Sequence, residues 1–150
     1  METIRSKDGT WIAFERGGSG PPLVVVHGTS ADHTRWAPVL PALETYFTVY
    51  ALDRRGRGDS GDATHYAIER EFEDISVVID AIGQPTDVCG HSYGGICALE
   101  AARRTPHVRR LVLYEPPIPT GVKDLYPAQV VAELQALLST AQTDAQADSG

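Results

Sequence analysis

Cysteine is almost absent from this chain: Cys89 and Cys97 are the only two in 150 residues. Two thiols cannot build the multi-bridge framework of a small secreted domain. Both stand in apolar segments flanking residues 90–94, which predicts buried free thiols and is compatible with a reducing cytoplasm. Positive charge is also scarce, with 13 Lys and Arg against 20 Asp and Glu and a net charge of −7. Such a surface repels polyphosphate, so global electrostatics exclude a nucleic-acid partner. The local basic groups, Arg54, Arg55 and Arg57 in one and Arg103, Arg104, Arg109 and Arg110 in the other, read as solvated loop and helix-end charge. No apolar run reaches the ~20 residues that cross a bilayer, and Met1–Asp8 lacks the apolar core of a signal peptide. A cytoplasmic protein with no membrane partner is expected. The five histidines show neither H-x-H nor H-E-x-x-H spacing, so no metal is expected, and no cofactor either. No internal repeat is present.

What is there has the composition of an ordinary globular domain, 42% apolar and 22% charged, at a length that suits one real core. Thr3–Arg5 and Trp11–Arg16 read as two short strands about the turn Lys7-Asp8-Gly9. Leu23-Val24-Val25-Val26 is wholly apolar, as in a strand buried on both faces. Thr34–Leu43 has a helical pattern interrupted by Pro38 and Pro41. Thr48–Leu52 is the next strand, and residues 53–65 form a polar, glycine-rich loop. Ile68, Phe72, Ile75, Ile79 and Ile82 step by four, three, four and three, which predicts a helix over 68–82 with one apolar face. Glu69, Arg70, Glu71, Glu73 and Asp80 fall mostly off that face, and Gly83 and Pro85 end it. A strand over 86–89, a helix over 93–104, a strand over Arg110–Tyr114, an apolar helix over Pro127–Leu138 and a small polar tail complete the chain. Strands alternating with helices predict the α/β class, a doubly wound, mostly parallel sheet covered on both faces. Sites in such sheets lie beyond the carboxyl ends of the strands. His27, Asp53, Ser92 and Glu115 each follow a predicted strand directly, so all four are expected on one rim.

The segment Gly90-His91-Ser92-Tyr93-Gly94 fits G-x-S-x-G between a strand and a helix. Ser92 is therefore a candidate nucleophile on a tight strand-to-helix turn. A serine there is forced into a sparsely populated backbone region, at a strain of about 1–3 kcal/mol. Glycine suits positions 90 and 94 because a Cβ would collide as strand and helix close on each other. The Tyr93 N–H, at the helix N-terminus, points where negative charge develops in acyl transfer.

Three segments in this order resemble the α/β-hydrolase superfamily, in particular its lid-bearing, serine esterase-like branch. They are Val26-His27-Gly28-Thr29, the D-x-R-G-x-G-x-S stretch from Asp53 to Ser60, and Gly90–Gly94 followed by Gly95. The resemblance covers roughly residues 3–115 and implies a role at each matching position. Ser92 becomes the nucleophile, and the backbone N–H groups of Thr29 and Tyr93 the oxyanion hole. His27 and Gly28 become structural supports of that loop, as do Gly90 and Gly94 of the elbow. The Asp53–Ser60 loop becomes scaffold, tucking Arg54 beside the site. Serine at the elbow argues against the dehalogenase and epoxide-hydrolase branches, which carry aspartate there. The implied organisation is a partial core over 1–115, the start of a lid over 116–141 and a disordered tail over 142–150, with the sheet truncated before its last two strands.

The family's general base, a histidine after the final strand, has no counterpart in these 150 residues, so turnover by this species is expected to be low. Among the histidines present, His107 lies beyond the helix that starts at the elbow, ~20 Å from Ser92 at 1.5 Å rise per residue. His91 adjoins Ser92 but neighbours on a tight turn point apart, and His65 lies in the loop after the fourth strand. His33, at the start of the first helical segment, is the remaining stand-in. Glu115 is a possible acid, against the reading that it is a hinge carboxylate. Strand 110–114 becomes an apolar edge, which predicts self-association or a partner strand. Gly56–Gly61 also matches G-x-G-x-x-G, but no helix opens directly from it, so a dinucleotide is not expected. Val130, Leu134, Leu137 and Leu138 read as a packing face of the lid. Three readings of function stay open: a serine hydrolase of esters or related small acyl compounds, a non-catalytic hydrolase domain that binds a ligand or partner chain, and a cofactor-free peroxidase or carbon–carbon hydrolase on the same scaffold.

Overall fold

The sequence opens with two strands, β1 (Glu2–Arg5) and β2 (Trp11–Gly17), paired antiparallel with Ile4 opposite Ile12. The turn between them closes through the Ser6 N–H to the Thr10 carbonyl at 2.8 Å and the Thr10 N–H to the Asp8 carboxylate at 3.0 Å. The computed structural model describes residues 1–118 and, beyond them, Gln129, Ala132 and Ala136, all three helical. Most of the lid segment 116–141, the remainder of the helix over 127–138 and the tail 142–150 lie outside the described residues.

β2 pairs antiparallel with β4 (Thr48–Leu52), and β4 pairs in parallel with β3 (Pro22–Val26). β3 in turn pairs in parallel with β5 (Thr86–His91), and β5 with β6 (Val108–Tyr114). The order is β1-β2-β4-β3-β5-β6. The four-strand parallel block puts the carboxyl ends of β3, β4, β5 and β6 on one side. His27, Asp53, Ser92 and Glu115 each directly follow one of them, so they share a rim.

Side chains of a strand alternate between faces, and the core divides accordingly. Val24, Val26, Tyr50, Leu52 and Val88 pack with Phe72, Ile75, Val78 and Ile79 of α2 (Ile68–Ile82) and with Cys97, Ala98 and Ala101 of α3 (Tyr93–Ala102). Leu23, Val25, Val49 and Ala51 face the other way, against Trp36, Leu40, Leu43 and Phe47. Both faces of the sheet are therefore covered, as in a doubly wound fold. Gly83, with a φ of 70°, caps α2 in the left-handed conformation.

Four expectations need correction. The helix over 34–43 is two pieces: a 3-10 turn over His33–Trp36, capped by the Asp32 side chain, and a four-residue α1 over Leu40–Leu43. Pro38 and Pro41 remove the N–H donors that would join them. Arg54 and Arg55 are buried, at 4% and 3% exposure, rather than solvated. Glu71, expected off the apolar face of α2, is also buried, and so is Asp74. Finally, Cys97 is fully buried but Cys89 only partly. Burial pushes the Cys97 thiol up to about 12.

Among the described residues β6 pairs only with β5, and Val112 and Tyr114 are 55% and 56% exposed. No helix among the described residues is long and apolar enough to cross a membrane.

Candidate active site

Ser92 stands between the last residue of β5 and the first of α3, with φ 53° and ψ −126°. This is a sparsely populated backbone region for a residue with a Cβ, and it occurs where α3 returns closely over β5. A Cβ on Gly94 would lie 2.3 Å from the His27 carbonyl oxygen and 2.5 Å from that of Val26. One on Gly90 would lie 2.4 Å from the Gly94 carbonyl oxygen. Only glycine permits that approach. The Ser92 N–H donates to the Tyr114 carbonyl at 2.8 Å, and the Gly95 N–H donates to the Ser92 carbonyl at 2.8 Å. The half-buried Ser92 hydroxyl makes no hydrogen bond among the described residues.

The loop after β3 comes up to this serine. A Cβ on Gly28 would sit 3.3 Å from the Ser92 Cβ and 3.5 Å from His91 Nδ1. Tyr93 opens α3, so its N–H has no acceptor within the helix. The Thr29 N–H is likewise unbonded among the described residues. His27 fixes the loop from below. Its Nε2 accepts from the Arg54 N–H at 3.1 Å, so Nδ1 carries the proton and donates to the Gly28 carbonyl at 2.8 Å. Burial, the largest influence, lowers the His27 pKa and keeps the ring neutral. Both ring nitrogens are therefore committed to structure.

The loop from Asp53 to Ser60 supplies the rest of the support. Arg54 donates to the Gly28 carbonyl at 2.9 Å, grips both oxygens of Glu71 at 2.5 and 2.9 Å, and lies 4.6 Å from the centre of the Tyr93 ring. Arg55 donates twice to Asp74, each at 2.7 Å, and once to Asp8 at 2.8 Å. Fully buried Asp53 accepts from the backbone N–H groups of His33 and Asp59, at 2.6 and 2.9 Å. Gly58 must be glycine, with φ +52° and a would-be Cβ only 2.2 Å from Asp53 Oδ2. Glu71, Asp74 and Tyr66, whose hydroxyl donates to Glu71 at 2.8 Å, were not singled out by sequence reasoning. A usable signal existed: two acids at i and i+3 bordering the apolar stripe of a helix, with two adjacent arginines in the preceding loop.

None of the other histidines is hydrogen-bonded to Ser92 among the described residues. His33 Nδ1 meets both oxygens of Asp53 at 2.9 Å. Asp53 follows β4 and Ser92 follows β5, with β3 between, so their backbones lie about 10 Å apart at the usual strand spacing. His33 is thus built against Asp53 and not against the serine. His107 joins Asp80 at 2.9 Å beyond the far end of α3, and His91 stacks on Tyr114 with centroids 5.2 Å apart. Glu115, at φ 50°, is exposed and makes no hydrogen bond among the described residues. Asp32, His33 and Asp53 bring ligand-type atoms within 4.8 Å of one another. Asp53 accepts from two backbone N–H groups and Asp32 caps Thr34 at 2.9 Å, so both carboxylates already have hydrogen-bond partners.

Two cavities each have a chain neighbour of Ser92 in their walls, though not Ser92 itself. One of about 400 Å³ is polar, walled by Thr29, Arg57, Asp62, Tyr66 and Tyr93 among others. The second, about 260 Å³, is mostly apolar and walled by Arg35, Trp36, Pro38, Val39, His91 and Tyr114. Ser92 is flanked in sequence by His91 of the apolar cavity and Tyr93 of the polar one.

Comparison with known proteins places this arrangement. N-formylmaleamate deformylase of Pseudomonas putida is 35% identical over 118 residues, which cover 76% of this chain and 44% of that protein. The 2-hydroxy-6-oxo-2,4-heptadienoate hydrolase of Pseudomonas putida is 38% identical over 103 residues, covering 64% of this chain and 37% of that one. A crystal structure of an alpha/beta hydrolase from Sphaerobacter thermophilus superposes with a TM-score of 0.78 at 43% identity, over 94% of this chain and 55% of that one. The chain thus spans less than half the length of these curated relatives, which are hydrolytic enzymes. Residues 23–148 match the profile of the alpha/beta hydrolase family, and with these likenesses the chain belongs to that family.

Proposed function

We propose that this chain carries the nucleophile half of a serine hydrolase acting on esters or related small acyl compounds through an acyl-enzyme. The observation that supports this best is the seat of Ser92. Its backbone is held at positive φ after β5, with Gly28 against its Cβ, and the N–H groups of the next residue, Tyr93, and of Thr29, which follows Gly28, are unbonded among the described residues. In the proposed reaction the Ser92 oxygen adds to the substrate carbonyl, whose electron pair moves onto the carbonyl oxygen. The Thr29 and Tyr93 N–H groups, with the N-terminus of α3, stabilise that charge. Collapse expels the leaving group with a proton, and water then releases the acyl group. A deformylase among the relatives is consistent with acyl chemistry at such a serine.

The base is not assigned to any of the five histidines. His27 is committed at both nitrogens, His33 and His107 are bonded to Asp53 and Asp80, His91 stacks on Tyr114, and His65 lies in the loop before α2. Glu115 is kept as the possible acid on its place at the end of β6.

A neutral alkyl fluorophosphonate tests the reading. The Ser92 oxygen should displace fluoride from phosphorus and add the phosphonyl mass to the peptide containing residues 90–94. Ser92→Ala should abolish the increment. A wild-type sample shown to be folded by circular dichroism that takes up no label would overturn the assignment and favour a non-catalytic binding domain.

A further inference from the structure

Three arginines stand close together after β4, and their partners differ. Arg54 is matched by Glu71 and Arg55 by Asp74 and Asp8. Arg57 has no carboxylate within ion-pair distance among the described residues. Its guanidinium is nevertheless held in place: Nε donates to the Thr29 carbonyl at 3.2 Å and Nη1 to the Gly56 carbonyl at 2.8 Å. Nη2 makes no hydrogen bond among the described residues. The side chain is exposed and lines the 400 Å³ polar cavity together with Thr29 and Tyr93.

Thr29 and Tyr93 are the two residues whose N–H groups are proposed to face the reacting carbonyl. The cavity therefore shares two of its walls with the proposed oxyanion site, and Arg57 is bonded directly to one of them. A guanidinium tied down by two carbonyls and still offering free donors is suited to an oxyanion of planar shape. Of the carboxylates that share this wall, Glu71 is paired with Arg54. Asp62 lies beside Gly56, accepts from the Ala63 N–H at 2.8 Å and makes no ion pair with Arg57. The Tyr66 hydroxyl is donated to Glu71.

We propose that Arg57 determines substrate specificity by receiving a carboxylate carried on the substrate a few bonds from the reacting carbonyl, so that the preferred substrates are anionic acyl compounds. The proposal rests on the serine reading above. It adds a substrate class and a residue to it.

Two fluorophosphonate probes of equal chain length separate the two ideas, one ending in a methyl group and one in a carboxylate. Wild-type protein should be labelled at Ser92 about tenfold faster by the carboxylate probe, the scale of one charge-assisted contact. The advantage should shrink with added salt. Arg57→Gln should bring the ratio of the two rates close to one, and Arg57→Lys should recover part of it. The ratio is the readout because loss of the Thr29 contact alone would slow both probes together. Equal rates for both probes in the wild type, or an unchanged ratio in Arg57→Gln, overturn the proposal and leave the serine assignment standing. Labelling by neither probe overturns the serine assignment itself.

Discussion

Arg54 and Glu71 form a buried, two-pronged ion pair, 4% and 3% exposed, that ties the loop after β4 to the first turn of α2 directly beneath the Tyr93 ring. Such a pair is a weak source of net stability but a severe loss when halved, because the survivor is a charge without water or partner. Glu71→Ala is expected to destabilise the fold by about 3–5 kcal/mol. The double replacement Arg54→Met with Glu71→Leu should cost less than Glu71→Ala alone. Denaturant unfolding of the three proteins measures this, and a double variant less stable than the single one would contradict it.

Gly94→Ala tests the packing that seats the elbow. The added methyl meets two main-chain carbonyls at 2.3 and 2.5 Å, and neither can swing aside. A loss of at least the ~1–3 kcal/mol typical of overpacking is expected, together with slower phosphonate labelling of Ser92. Wild-type stability in this variant would show that α3 does not press on β3 as described.

His27 gives stability a pH dependence of known sign. Its folded pKa lies below the ordinary value, so on acidification through the ordinary histidine range the unfolded chain takes up a proton that the folded one refuses. Stability is therefore present at neutral pH and declines as pH falls, with a slope of up to about 1.4 kcal/mol per pH unit for one proton. The carboxylates held below their ordinary range, Asp8, Asp32, Asp80, Asp87 and Glu100, act in the same direction but at lower pH. Denaturation midpoints between pH 5 and 8 should rise with pH in the wild type and flatten over the upper part of that interval in His27→Gln.

The outer edge of β6 is expected to make the 150-residue chain associate with itself. Val112 and Tyr114 lie more than half exposed on a strand paired on one side only among the described residues. Sedimentation velocity over a hundredfold concentration range should show a rising average mass, and Val112→Lys should suppress it. A sharp monomer at every concentration would count against the idea.

The strands and α2 were legible because their signals are local. Four consecutive apolar residues mark β3, and the four-three spacing of Ile68, Phe72, Ile75, Ile79 and Ile82 marks the observed limits of α2. The turn that holds Ser92 at positive φ was legible because tight backbone turns leave glycines behind in the sequence. The segment after Asp32 was harder, since apolar spacing alone does not show where two prolines interrupt the hydrogen-bond ladder. The buried Arg54–Glu71 and Arg55–Asp74 pairs were illegible for a different reason. Charge reads as solvated unless its partner is known, and these partners lie 17 and 19 residues away across a loop. The commitment of His33 to Asp53 was hidden in the same way, 20 residues apart.

The position of Ser92 is set where main chain meets main chain: the Cα of Gly94 against the carbonyls of His27 and Val26, and Gly90 against Gly94. No side chain enters those contacts. Cavity-lining residues such as Trp36, Val39, Tyr66 and Arg57 can consequently be exchanged for others without shifting the serine's height above the sheet. Directed evolution that randomises those four positions and spares Gly90 and Gly94 should change which molecules the cavities accept while the Ser92 oxygen keeps its place.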